Sequence, residues 1–293
     1  MRKHWFAPVC IVLAGLLWGC IGLFVRPLNA LGLASMDIVF LRVLVTCVVM
    51  AVVLLIYDRT LFQIKIKDIW CFLGTGIASI VFFNFCYFKA IEIESMAAAA
   101  VLLYTAPAIV MILSRFLFGE KFTTVKVLSL VLTFVGCVLV TGIAGQSEAL
   151  SLAGLLAGLG AGFGYALYSI FGKFALKRNY SSMTITFYTF CFAAAGSFFL
   201  ADVSKIPAAC RGDLKNYLLC AGFGIVCTVL PYLLYTAGLK YVENGKASII
   251  ASIEPVTAAV VGVAVYGETL PVDVVIGILL VIAGISVSAL KNK

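Results

Sequence analysis

Apolar residues run along this chain in ten stretches, roughly 7–25, 35–57, 69–88, 95–114, 124–142, 152–172, 183–201, 216–237, 247–266 and 272–290, with charged residues gathered between them. About 20 consecutive apolar residues cross the hydrocarbon core of a bilayer as a helix. Each stretch therefore predicts one membrane-spanning helix, and the connections are too short to hold a soluble domain. The predicted fold is an all-α integral membrane protein of ten transmembrane helices.

Composition agrees with the pattern. Hydrophobic residues make up 63% of the 293 positions and charged residues 12%, against about 45–50% and about 25% in soluble domains. The formal net charge of +8 does not point to nucleic acid, because Lys and Arg fall between the apolar runs and form no basic helix. They are also unevenly shared between the two sides. The side holding both termini carries fifteen, including Arg59, Lys65, Lys67, Arg115, Lys121, Lys126, Lys173, Lys177, Arg178, Lys240 and Lys246. The other side carries five (Arg26, Lys89, Lys205, Arg211, Lys215), and Arg42 lies inside the second run. The excess predicts cytoplasmic N- and C-termini in the cell membrane. Arg2-Lys3 and the stretch Leu17-Trp18-Gly19-Cys20 imitate a signal peptide with a lipid-attachment cysteine. A bulky Trp two places before the Cys fits such a site poorly, so the first run is read as a retained helix.

A second pattern overlies the first. Pro107 and Pro255 each interrupt an apolar run that closes with Gly-Glu, at Gly119-Glu120 and Gly267-Glu268, and the two copies lie 148 residues apart. The same offset pairs Gly74 with Gly222, Gly76 with Gly224, Tyr87 with Tyr235 and Gly136 with Gly284. At a slightly shorter offset Gly15, Trp18 and Gly19 face Gly160, Phe163 and Gly164. Two units of five helices follow, 1–145 and 146–293. An odd helix count makes the second unit enter the membrane from the opposite side, an inverted-topology repeat.

The chemistry on offer is sparse. The only histidine is His4, so no His-based metal site or catalytic dyad is available to the membrane interior, and no phosphate-cradling loop is present. No catalytic residue, metal or cofactor is assigned. Most of the ten cysteines sit within apolar runs as packing residues; Cys210 and Cys220 are the pair near a loop where a bridge is conceivable. The glycines from Gly154 to Gly164 suit close helix approach. Each mid-span proline frees a carbonyl one turn back that lipid cannot satisfy, which favours a cavity between the repeats over a simple kink.

Glu254, beside Pro255 at mid-depth, is the most informative residue. An ionised carboxylate there is costly unless paired or hydrated, and its counterpart in the first unit is Ala106. It reads as a proton carrier or a counter-charge for a substrate cation, the alternative being a buried pairing with, for instance, Arg42. Arg42 itself either snorkels outward, near Asp37, or binds a substrate carboxylate. Glu120 and Glu268 read as helix-terminating or interface groups, structural charges like Arg42. Trp18, Asn84, Tyr104 and Tyr232 lie too deep for an interfacial belt.

These residues carry a resemblance. Ten predicted helices in two halves, Trp18-Gly19, Arg42, and Pro107 and Pro255 each leading to Gly-Glu resemble an EamA-type member of the drug/metabolite transporter superfamily over essentially the whole chain. The resemblance implies a basket-like bundle whose cavity is lined by the first, third, fourth, sixth, eighth and ninth helices. Carried onto this chain, the lining includes Trp18, Asn84, Tyr87, Tyr104, Pro107, Tyr165, Tyr168, Tyr232, Tyr235, Glu254 and Pro255. It implies alternating-access transport of a small-molecule substrate, read here as export of amino acids or related metabolites, with the lipid bilayer as surroundings and a homodimer left open. Export of drugs or lipophilic cations, an intramembrane enzyme and a non-transporting scaffold are the alternatives.

Overall fold

The computed structural model describes residues 6–143, 150–210 and 213–289. The terminal basic residues, His4, Arg211 and the Cys210 side chain lie outside the described residues. Those described contain helices, turns and loops but no strand. Eight helices are long and apolar enough to cross a membrane: α1 (Phe6–Ala30), α2 (Ser35–Tyr57), α3 (Ile66–Ile93), α4 (Met96–Phe118), α6 (Leu152–Lys177), α8 (Leu214–Leu239), α9 (Asn244–Tyr266) and α10 (Val272–Ala289). Two shorter helices pack with them, α5 (Thr124–Val140) with 17 residues and α7 (Ser182–Ser197) with 16. At about 1.5 Å per residue, both fall short of a hydrocarbon core about 30 Å thick. The apolar runs at these positions were longer because they continue into the turns at Thr141 and Phe198.

The helices begin where the sequence supplies side-chain acceptors for the orphan amides of a first turn. Ser95 caps Ala98, Ser151 caps Gly154, Ser181 caps Thr184 and Asp213 caps Lys215, at 2.8–3.1 Å. α4 and α9 end on Gly119 and Gly267, at φ +71° and +68°, a backbone conformation that glycine adopts without a Cβ penalty.

The surface is apolar and part of the interior is polar. Phe116, Ile56, Phe199 and Leu152 are at least 70% exposed, while Thr46, Thr75, Thr186, Thr189, Thr228 and Ser129 are fully buried. Such a surface suits lipid, and the buried hydroxyls largely bond backbone carbonyls or one another. Thr46 donates to Arg42 O at 2.7 Å, and Thr75 and Thr189 share a 2.6 Å bond between α3 and α7.

Three pairs of helices that correspond at the 148-residue offset pack on each other: α2 with α7, α4 with α9, and α5 with α10. α1 lies instead against α8 and α9, and α6 against α3 and α4. Four interruptions follow the same offset. α3 widens to a π-helix over Gly74–Val81 and α8 over Ile225–Val229. α4 breaks at Tyr104-Thr105 and α9 at Ser252-Ile253. The prolines therefore do more than kink a continuous helix. Each stands in the first turn of a new segment, Ala106–Phe118 or Glu254–Tyr266, where its missing N–H costs little. At the first break the Thr105 hydroxyl donates to Leu102 O at 2.6 Å, so local side chains meet part of the freed backbone.

Candidate functional site

The aromatic residues of the middle of the bundle meet on one another. The Trp18 ring lies 5.2 Å from that of Tyr232, 5.4 Å from Tyr235 and 6.4 Å from Tyr165. Tyr168 and Phe190 each approach Tyr232 to 4.9 Å at steep angles, the edge-to-face geometry that aromatic quadrupoles favour. Between these rings is a cavity of about 10 Å³, room for about one water. Trp18 from α1, Ser79 and Phe83 from α3, Tyr165 and Tyr168 from α6, and Tyr232 and Tyr235 from α8 line it. Four helices drawn from both ends of the chain thus converge on one point.

Hydroxyls around the rings are tied down. Tyr168 Oη and Thr236 Oγ1 are 2.7 Å apart, as are Ser169 Oγ and Tyr235 Oη. Ser79 donates to Gly164 O at 2.7 Å. With these bonds made, the rings are held in place, and a solute larger than water enters only if the helices separate.

Charged and amide groups stand at the margin. Glu254 opens the second segment of α9, where a helix N-terminus favours negative charge, and accepts a long bond from Tyr165 Oη at 3.4 Å. No cation pairs with it among the described residues. The suggested Glu254–Arg42 ion pair is therefore not formed. Nor does Arg42 snorkel toward Asp37. Asp37 instead accepts from the amides of Ala34 at 3.0 Å and Asp202 at 2.8 Å. Arg42 turns inward, is 6% exposed, and donates from Nη2 to Asn84 Oδ1 at 3.2 Å. Asn84 gives its amide N–H to Ile80 O at 2.7 Å, leaving its carbonyl for Arg42.

The remaining residues from the sequence sit further out. The Tyr87 ring lies tilted against that of Phe83, 5.8 Å between centroids, one ring removed from the cavity. Tyr104 packs with Cys137, Val256 and Val281, towards α5 and α10. Pro107 and Pro255 are buried at the two helix breaks. None of these four lines the cavity in this conformation.

At one end of the bundle a polar cluster ties α4 to α9. Glu120 accepts from the amides of Asn244 at 2.7 Å and Gly245 at 3.2 Å, the first residues of α9. Lys126, 6% exposed, lies 2.7 Å from Glu243 and 3.7 Å from Glu120. Lys173 donates to the carbonyls of Leu239 and Val242 at 2.7 and 3.1 Å. Glu268 has a different surrounding: it pairs with Arg26 at 2.6 Å, both about half exposed. Lys126 and Lys173, which along the sequence are only orientation charges, thus bind the bundle together, and Ser79, Ser169 and Thr236 join the site without any local motif to mark them. A lysine near a helix end looks the same in sequence whether it faces water or a partner helix. Just beyond this end, Arg178 Nε and Tyr180 Oη donate to Asp68 at 2.9 Å each, and burial pushes the Tyr180 phenol up.

Apolar outer faces, helices broken in mid-course and an aromatic cavity between helices from both parts of the chain belong to a multi-pass membrane protein. A model of the EamA-like transporter family matches twice, over residues 5–142 and 152–290, and the chain belongs to that family. An uncharacterized transporter of Archaeoglobus fulgidus is 30% identical, with 97% of this chain and 96% of that protein covered. The uncharacterized transporter YxxF of Bacillus subtilis is 25% identical over 98% of this chain and 90% of its own length. A protein of known crystal structure superposes with a TM-score of 0.80 at 18% identity, over 98% of this chain and 97% of the other, a likeness of fold.

Proposed function

We propose that this protein is a secondary transporter of small organic solutes, amino acids or related metabolites, exporting them by alternating access. The observation that carries the reading is the aromatic cavity built jointly by α1, α3, α6 and α8, with Glu254 and Asn84 at its margin. Tyr and Trp faces offer stacking or cation–π contacts, and the polar groups orient a solute's ends. The arrangement is read as ten membrane-crossing helices, α5 and α7 included, in two inverted halves with both termini cytoplasmic. The pairing of α2 with α7, α4 with α9 and α5 with α10 supports that symmetry, and the excess of basic residues on the side of the termini supports the orientation. In this frame Glu120 and its partners seal the cytoplasmic end. Rocking of the halves then exchanges that seal for one at the external end.

The test is flux through purified protein in liposomes loaded with an amino-acid mixture: efflux above protein-free vesicles is expected, and no flux of any amino acid overturns the reading. Proton coupling through Glu254 is the narrower part of the proposal. A pH gradient is expected to accelerate flux in the intact protein and to have no effect on Glu254→Gln. Equal rates for both proteins, with and without the gradient, would sink that coupling. Export of lipophilic cations is the second reading, favoured by an acidic group beside aromatic faces.

A further inference from the structure

Arg42 is a buried cation with which no described acidic side chain forms an ion pair. Its one described acceptor is a neutral amide oxygen, that of Asn84, and its buried Nε–H has no partner. A guanidinium carries five donors, and leaving a buried cation without an anion costs several kcal/mol. The surroundings do not relieve the cost: the Phe223 ring is 6.0 Å away, at the outer limit of a cation–π contact. A residue kept only for structure has a closer solution in a direct ion pair with Glu254. That pair is not formed, although the two groups' partners are neighbours: the ring of Phe83, the residue before Asn84, lies 5.5 Å from that of Tyr165.

Each charge is held by a neutral group, Arg42 by Asn84 and Glu254 by Tyr165. The two therefore remain available to a third party.

We infer that Arg42 and Asn84 form the carboxylate-binding pole of the solute site, with Glu254 as the ammonium pole, so that the site takes amino-acid zwitterions. The inference rests on the transporter reading above and narrows its substrate class. A carboxylate on the fork of Arg42 supplies the missing anion in the geometry that guanidinium groups favour. An ammonium group at Glu254 leaves the occupied site with no net charge to desolvate. A lipophilic cation satisfies only Glu254 and faces the repulsion of Arg42.

The test uses the intact protein in liposomes containing an equimolar mixture of the twenty common L-amino acids, with efflux followed by mass spectrometry. Each amino acid that leaves is then compared with its methyl ester as a competitor. In the wild type, esterification is expected to weaken competition about tenfold or more, the loss of one charge-assisted contact. In Arg42→Gln, which keeps bulk and loses charge, acid and ester are expected to compete within about twofold of each other, because only the carboxylate needs the cation. Equal potency of acid and ester on the wild type overturns the inference whether or not the variant folds. So does a variant that weakens both alike. A wild type that moves none of the twenty overturns the amino-acid reading itself, an outcome distinct from flux without carboxylate discrimination.

Discussion

Gly19 shows what one side-chain atom decides here. A Cβ on Gly19 falls 2.6 Å from the carbonyl oxygen of Glu254 and against the side chain of Thr257. α1 reaches the break in α9 only because that atom is missing. Gly19→Ala is expected to destabilise the protein by about 1–3 kcal/mol, the usual cost of overfilling a packed contact, seen as a lower Tm in detergent. It is also expected to lower flux, because α1 carries Trp18 into the cavity. An unchanged Tm means that α1 and α9 adjust without strain. The contrast between Glu254 and Ala106 has its meaning at the same scale. Each residue opens the second segment of its helix, at Glu254–Tyr266 and Ala106–Phe118. The break therefore does not require a carboxylate.

Among the elements, α4 and α9 carry the mechanical argument. Both are broken one turn or less before a proline, and both end on a left-handed glycine followed by glutamate. Yet Glu120 grips the first amides of α9 while Glu268 holds Arg26 at an exposed edge. Glu120→Gln keeps the size of the side chain and removes its charge. The loss of charge-assisted bonds to two amides and of the Lys126 contact is expected to weaken the seal by about 1.5–3 kcal/mol. The readout is faster maleimide labelling of a cysteine placed at Ser248, a buried position one turn into α9 where the exchange keeps the side chain's size. Equal labelling rates in the two proteins mean that the Glu120 contacts do not hold this end closed. α5 and α10 show the opposite tendency, a fixed pair. Gly136 and Gly277 face each other so closely that a Cβ on either lands 2.7 Å from the other's carbonyl oxygen, the approach that small residues permit within membranes.

At the scale of the whole molecule, the question is which interfaces open. α2 and α7 lie side by side, and Cys47 Sγ and Cys191 Sγ are 3.2 Å apart, close enough to report on that interface. Diamide, a thiol oxidant, is expected to join them, the two thiols losing two hydrogens to its N=N bond. Mass analysis after thiol labelling reads the link, with Cys47→Ser as the unlinked control. If the halves rock at this interface, flux falls on oxidation and returns with dithiothreitol. Undiminished flux in fully linked protein places the motion elsewhere.

Much of the architecture was legible in the chain itself, for a definite physical reason. Lipid satisfies no backbone group, so a membrane-spanning segment must be a helix, and its length and apolar character are written locally in the residues. The two Pro-to-Gly-Glu segments were legible for a similar reason, since proline and glycine restrict the backbone wherever they stand. Partners were not legible. Nothing local distinguishes Arg42 turned toward Asn84 from Arg42 turned toward Asp37, or a buried Lys126 from an exposed one. Those choices depend on which side chains of other helices stand opposite, across separations such as the 165 residues between Asp37 and Asp202. The sequence alone determined a duplicated helical membrane protein with a carboxylate at one break. The tertiary structure alone decided that the rings close on one another, that Arg42 and Glu254 stay apart, and that Glu120 rather than Glu268 grips a helix start. Pairwise contacts between distant segments exist only once the chain has packed.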